Sequence, residues 1–176
     1  MLWIRFDESD HWNPAPSFCL PGISEKQPWA QICLQDYHED CNLALFFAHR
    51  GDCPDCIQAL HAFAGRHDDY NYQEAKILAV FPEPLERLAG DPALAGLPFP
   101  LLADPQGSTR RAYEALMAPG LVQEEAPLLF VLDRYNAPYA ALAGNGAGQD
   151  AGIFQRDDIQ DDILKWFEFI GIQCPE

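Results

Sequence analysis

Asn42-Leu-Ala-Leu-Phe-Phe-Ala-His49-Arg-Gly-Asp-Cys53-Pro-Asp-Cys56 is the stretch that decides the fold. Its first half has an unbroken apolar centre without helical spacing, as expected of a strand buried on both faces of a parallel sheet. Beyond the cysteines, Ile57, Leu60, Phe63 and Ala64 recur at spacings of three and four. That stripe belongs to one face of a helix starting near Pro54, and proline is well suited to a first helical position. The unit is therefore a strand, a Cys-Pro-x-Cys turn and a helix.

Downstream, Lys76–Phe81 reads as a second apolar strand, followed by a short helix broken by Gly90-Asp91-Pro92 and by a strand or strand end at Leu101–Ala103. A helix is expected from about Ser108 to Leu116. Leu128–Leu132, the turn Asp133–Asn136 and Tyr139–Leu142 form a hairpin. Residues 143–152 are Gly/Ala-rich and read as a flexible connection to a last helix, Asp157–Ile170, whose Ile159, Ile163, Phe167 and Ile170 share a face.

Upstream, Pro14, Pro16, Pro21 and Pro28 predict an extended arm with turns at Pro21-Gly22 and around Ser24–Lys26, leading to a short strand at Ile32–Leu34. No internal repeat or long linker interrupts the pattern. The expectation is one α/β domain over residues 1–176, with an N-terminal arm and short strands over 1–41, a core over 42–176, and helices on both faces of a mixed sheet.

The chain has 176 residues, 48% of them hydrophobic, and a formal charge of −16. That length supports a self-sufficient core, and the charge repels phosphate backbones and anionic headgroups. Neither nucleic acid nor membrane is expected as a partner. No apolar run approaches the ~20 residues of a membrane span, and the first residues lack the basic and apolar regions of a signal peptide. A cytoplasmic location is the expectation.

Six cysteines are too few for a disulfide-stapled secreted scaffold, so most should be free thiols. Cys53 and Cys56 are the exception in purpose. A thiol attacks as its thiolate, and an unperturbed pKa of ~8.5 leaves little of it at neutral pH. A cysteine just before a helix meets unpaired N–H groups and the positive end of the dipole, which favour the thiolate. Cys53 holds that place and is expected to be the exposed nucleophile. Cys56, one turn further in, is expected to be the resolving thiol, close enough to close a disulfide.

Asp52 and Asp55 oppose a second negative charge beside Cys53, whereas Arg50 and the histidines His49 and His61 favour it. A Cys-x-x-Cys pair is also half of a tetrahedral zinc site, but a second pair is absent, so no metal and no cofactor are expected. Cys19, Cys33 and Cys41 read as small buried or half-buried hydrophobes. Cys174 is a minor candidate for an alternative resolving thiol. Gly144–Gly148 is only superficially like a phosphate loop, because no Lys-Ser/Thr follows.

Pro14-Ala-Pro-Ser-Phe-Cys-Leu-Pro21, Ile32–Tyr37, Phe46–Cys56, Leu97–Asp104 with Tyr113, and Ala126–Asp133 occur in an order and spacing that resembles the thioredoxin-like superfamily. Within it, the chain is similar to the alkyl hydroperoxide reductase/thiol-specific antioxidant branch, which includes peroxiredoxin-like and redoxin proteins. The resemblance implies a thioredoxin-like three-layer sandwich. It also implies a cis proline at Pro127, before the strand facing the cysteines, and substrate binding by Ala126 and Pro127, with Arg50 a further candidate.

One departure stands out. The family's Pro-x-x-x-Thr-x-x-Cys motif, aligned on Cys56, places His49 and Cys53 at the Pro and Thr positions; aligned on Cys53, it places Phe46 and Arg50 there. The hydroxyl that orients peroxide is missing in both. Dithiol–disulfide exchange is therefore the expected activity, with a dithiol reductant or a disulfide-containing substrate as partner. A peroxiredoxin-like thiol peroxidase acting on peroxide is the second reading, and a non-catalytic thioredoxin-fold binding module the third.

Overall fold

A computed structural model describes residues 3–6, 13–24, 29–117, 120, 126–144 and 152–173. The strands are β1 (Ile4–Arg5), β2 (Cys19–Ile23), β3 (Ala30–Cys33), β4 (Asn42–Phe47), β5 (Ala75–Phe81), β6 (Leu101–Ala103), β7 (Leu128–Leu132) and β8 (Pro138–Ala143). The helices are α1 (Pro54–Gly65), α2 (His67–Tyr72), α3 (Leu85–Gly90), α4 (Ser108–Glu114) and α5 (Asp157–Gln173).

The strands form one eight-stranded sheet in the order β1-β8-β7-β4-β5-β6-β2-β3. Parallel pairing joins β4 to β5 and β5 to β6, while β7 runs antiparallel to β4 and forms the expected hairpin with β8. This is the mixed α/β sheet read from the sequence. All six residues of β4 are buried, as expected of a central strand covered on both sides.

Alternation along the strands divides the core into two layers. Ala44 and Phe46 of β4, Ile77, Ala79 and Phe81 of β5, and Leu129 and Val131 of β7 face Cys56, Leu60 and Phe63 of α1 and Ile159, Ile163 and Phe167 of α5. Leu43, Leu45, Phe47, Leu78, Val80 and Phe130 face the other way, against Tyr113 of α4 and Ala15 and Phe18 of the N-terminal segment. The Tyr113 ring lies 5.1 Å from both the Phe47 and Phe130 centroids.

Three local readings are corrected. Pro21 and Gly22 lie inside β2 rather than in a turn. Pro21 pairs only with Gln31 of β3, because pairing of β2 with β6 begins at Gly22; a residue with one paired side tolerates a missing N–H. Gly22 is required by close approach, since a Cβ there would fall 2.6 Å from Ile32 Cδ1 and 3.1 Å from the Leu101 carbonyl. Helix α2 and strand β1 are additional elements, and α5 continues past Ile170 to Gln173.

The third correction concerns two cysteines. Cys19 and Cys33 sit directly opposite one another in the β2–β3 register and form a disulfide, with Cα atoms 4.0 Å apart. Cys33 is half-buried as expected but Cys19 is exposed, and neither is a free thiol, whereas Cys41 is a buried free thiol as expected. The Gly144–Gly148 stretch and Cys174 lie largely or wholly outside the described residues.

Candidate active site

The site is built where β4 leaves the sheet. Ala48 N–H still bonds to the Val80 carbonyl (2.9 Å), holding the chain against β5 one residue past the strand. The next residues turn toward α1 and are tied down by Glu83, whose carboxylate accepts from Gly51 N–H (3.2 Å). A Cβ on Gly51 would fall 2.7 Å from Glu83 Cγ, so this crossing requires glycine or a displaced Glu83. Arg87 pairs with the same carboxylate at 3.1 Å.

Cys53 is the N-cap of α1, in extended conformation, with Pro54 at the first helical position. Its carbonyl accepts the first helical bond from Ile57 N–H (3.0 Å), and its sulfur accepts from Cys56 N–H at 3.1 Å. The sulfur thus does what a serine or aspartate oxygen does at an ordinary N-cap.

The two thiols are unequal. Cys53 is lowered to about 7. The hydrogen bond from the Cys56 thiol contributes most; burial opposes it, the Cys56 N–H assists, and the Asp55 charge opposes. Cys56 is pushed strongly upward, first because its proton is held on Cys53 and then by burial. The thiolate is therefore favoured on Cys53, the residue at the helix N-terminus.

Cys53 is not the exposed thiol expected from the sequence. It is 2% exposed and Cys56 0%. The capping geometry draws the Cys53 sulfur under the first turn, and the 3-10 segment Ile153–Gln155 lies close by, with Phe154 packed on Phe46 at 5.4 Å. A Cβ on Gly152 would stand 3.6 Å from Asp55 Oδ1, which places this segment beside the first turn of α1.

His49 Nδ1 stands 3.4 Å from Cys56 Sγ. From the sequence, His49 has only an electrostatic influence on Cys53 and no contact with Cys56; the spacing His-x-x-x-Cys-x-x-Cys is the signal for that contact. His61 instead donates from Nε2 to the Ala93 carbonyl at 3.1 Å. Arg50 is over half exposed and pairs with Asp52 at 3.0 Å, so each offsets the charge of the other.

The Ala126–Pro127 peptide is trans, against the cis bond that the resemblance implies. Ala126 is fully buried, and its carbonyl accepts from Arg110, which also donates to the Ala48 carbonyl. The Pro127 carbonyl accepts from Gly144 N–H at 2.8 Å. Both carbonyls are thus held within the protein. Arg110 bridges the residue after β4 to the residues before β7, on the edge of the site.

A model of the AhpC/TSA family matches residues 12–136. No curated protein matches the chain by sequence. Among solved structures, the chain is similar to a reduced 2-Cys peroxiredoxin of Plasmodium vivax, with a TM-score of 0.72 at 15% identity over 91% of this chain and 80% of that one. It is also similar to Mycobacterium tuberculosis AhpC, with a TM-score of 0.68 at 20% identity over 93% of each chain. The peroxidoxin BcpB of the same organism gives a TM-score of 0.68 at 17% identity over 90% of this chain and 96% of that one. At these identities the likeness shows the fold.

Proposed function

Since the chain belongs to the AhpC/TSA family and is a thiol-dependent oxidoreductase, we propose that it works by dithiol–disulfide exchange, with Cys53 as nucleophile and Cys56 as resolving thiol. The Cys53 thiolate attacks one sulfur of a substrate disulfide, forming a mixed disulfide and releasing the other sulfur as a thiolate. Cys56 then gives up its proton and attacks Cys53 Sγ. The Cys53–Cys56 bond forms, the mixed disulfide breaks, and the second substrate thiolate leaves. The substrate has gained two electrons and, after protonation, two protons. An external dithiol reductant reopens the pair.

The observation that carries this reading is the inequality of the thiols. Cys53 is lowered to about 7 while Cys56 keeps its proton until the mixed disulfide forms. Once Cys53 is no longer a thiolate, the chief cause raising Cys56 disappears. His49 Nδ1, 3.4 Å from Cys56 Sγ, is then placed to take the departing proton.

Peroxide reduction is the second reading, favoured by the family and by the peroxiredoxin fold. A thiolate would attack one oxygen of the peroxide O–O bond and become a sulfenic acid, the other oxygen leaving as an alcohol or water once protonated; the partner thiol would then form the disulfide and expel water. The position that carries threonine in the peroxiredoxin motif is occupied by Cys53 when the motif is aligned on Cys56.

A redox titration followed by the mass of the Cys53–Cys56 peptide tests the assignment. Reversible loss of two hydrogens, with turnover of a small disulfide faster than that of peroxide, is the expected result. Fast peroxide consumption that survives Cys53→Ser and vanishes in Cys56→Ser would replace exchange by the second reading.

A further inference from the structure

We propose that His49, Cys53 and Cys56, when both thiols are reduced, form a chelating site for zinc. The inference goes beyond the exchange reading and requires only that the two thiols be present as such. The His49 ring nitrogen and both sulfurs lie within 4.8 Å of one another. A tetrahedral zinc with Zn–S of about 2.3 Å and Zn–N of about 2.0 Å holds its donors about 3.5–3.8 Å apart. The 3.4 Å between Cys56 Sγ and His49 Nδ1 already matches. The remaining separations close by shifts of roughly 1 Å or less.

The donors are of the right kind. Two thiolates and an imidazole make a borderline-soft set that suits zinc, and two thiolate charges offset the charge of the dication in a buried place. The sequence offered only half of a zinc site because it lacks a second cysteine pair. His49, brought in by the turn after β4, supplies the third donor, and its backbone is fixed by the Ala48–Val80 hydrogen bond beside it. Among the described residues no fourth His, Cys, Asp or Glu joins the group. The fourth position is therefore open to water or to a thiolate from outside.

Binding is an acid–base step without redox change. Each thiol that still carries a proton releases it to solvent as its Zn–S bond forms. The sulfur electron pairs used for zinc are those used for exchange, so a closed Cys53–Cys56 disulfide and bound zinc exclude one another. Zinc would hold the dithiol reduced and silent until it is removed.

The test uses the full chain, freed of metal and reduced, titrated with Co2+ as spectroscopic probe. The expected result is one equivalent bound with thiolate-to-cobalt charge-transfer bands and the intense visible bands of tetrahedral cobalt, bleached by zinc. The bands should vanish in Cys53→Ser and Cys56→Ser and after oxidation of the pair. They should persist in a Cys19→Ser/Cys33→Ser/Cys41→Ser/Cys174→Ser background, which excludes the other four cysteines. His49→Ala should weaken binding roughly tenfold or more and shift the visible bands; His49→Gln repeats the test, and far-UV circular dichroism checks folding in each variant.

Octahedral cobalt without charge transfer, or bands unchanged by both His49 substitutions, would overturn the proposal. Exchange is read separately, by disulfide turnover in metal-free protein. Cobalt binding with no disulfide turnover would sink the exchange reading alone, and the converse would sink the zinc site alone.

Discussion

Cys53 differs from Cys56 chiefly through an S–H and a peptide N–H, with burial adding to the rise of Cys56. Both groups are directed at the Cys53 sulfur, and both come from the residue one helical turn away. The predicted consequence is a pH dependence. The rate of Cys53 alkylation in the reduced protein should rise through a midpoint of about 7, against ~8.5 for an ordinary thiol. Because the folded value lies below the unfolded one, Cys53 ionisation favours the folded reduced state. That contribution is complete above the unfolded value and is lost as pH falls through about 7. An alkylation midpoint at or above ~8.5 would contradict the geometry. The place of Cys53 at the N-terminus of α1 was legible from Pro54 and the stripe beginning at Ile57, but the sign of its shift was not, since Asp52 and Asp55 oppose what the helix end favours. Nor was the burial of Cys53, because Ile153–Gln155 reaches α1 from a distant part of the chain.

At the scale of elements, buried polar groups fix the pieces around the site. Asp104, 3% exposed, accepts from the N–H groups of Ser108, Thr109 and Arg110 and so caps α4. This holds Arg110 where it bridges Ala48 and Ala126. Asp104→Ala should lower stability by about 2 kcal/mol, the upper part of the range for a lost cap, measured by urea unfolding; a change below ~0.5 kcal/mol would show that water replaces the carboxylate. Tyr70 of α2 donates to Gln160 of α5 (2.8 Å), and Gln160 donates to the Phe154 carbonyl (2.7 Å), linking two helices to the segment beside Cys53. Long periodic elements such as α1, β4 and α5 were legible in the sequence. Helix α2 was not, since only Tyr70 of His-Asp-Asp-Tyr-Asn-Tyr is buried and a single apolar position sets no period. Pro21-Gly22 misled for the opposite reason: turn residues serve there as strand residues because the sheet leaves one side of Pro21 unpaired.

For the molecule as a whole, the sheet continues past β6 into the N-terminal segment, through β2 and β3. The Cys19–Cys33 bridge closes that outer hairpin. A loop of this length, with a sequence separation of 14, corresponds to about 3 kcal/mol of lost chain entropy in the unfolded state. The Cys19→Ser/Cys33→Ser variant should be less stable by about that amount, while Cys53 keeps its alkylation midpoint. A shifted midpoint would mean that the edge of the sheet is coupled to the site. The pairing was invisible in the sequence because it depends on strand register, and neither cysteine belongs to a Cys-x-x-Cys pair. The α/β class and the β7–β8 hairpin were legible from apolar runs joined by short connections, whereas the order of strands in the sheet was not read from the sequence.

The central claim, that Cys53 attacks and Cys56 resolves, is tested most directly by mixing reduced Cys56→Ser with a disulfide substrate and mapping the adduct by mass spectrometry. Attack remains possible in this variant but resolution does not, so the account predicts a stable mixed disulfide on Cys53. No adduct on Cys53, with an adduct appearing instead on Cys56 in the Cys53→Ser variant, would contradict it.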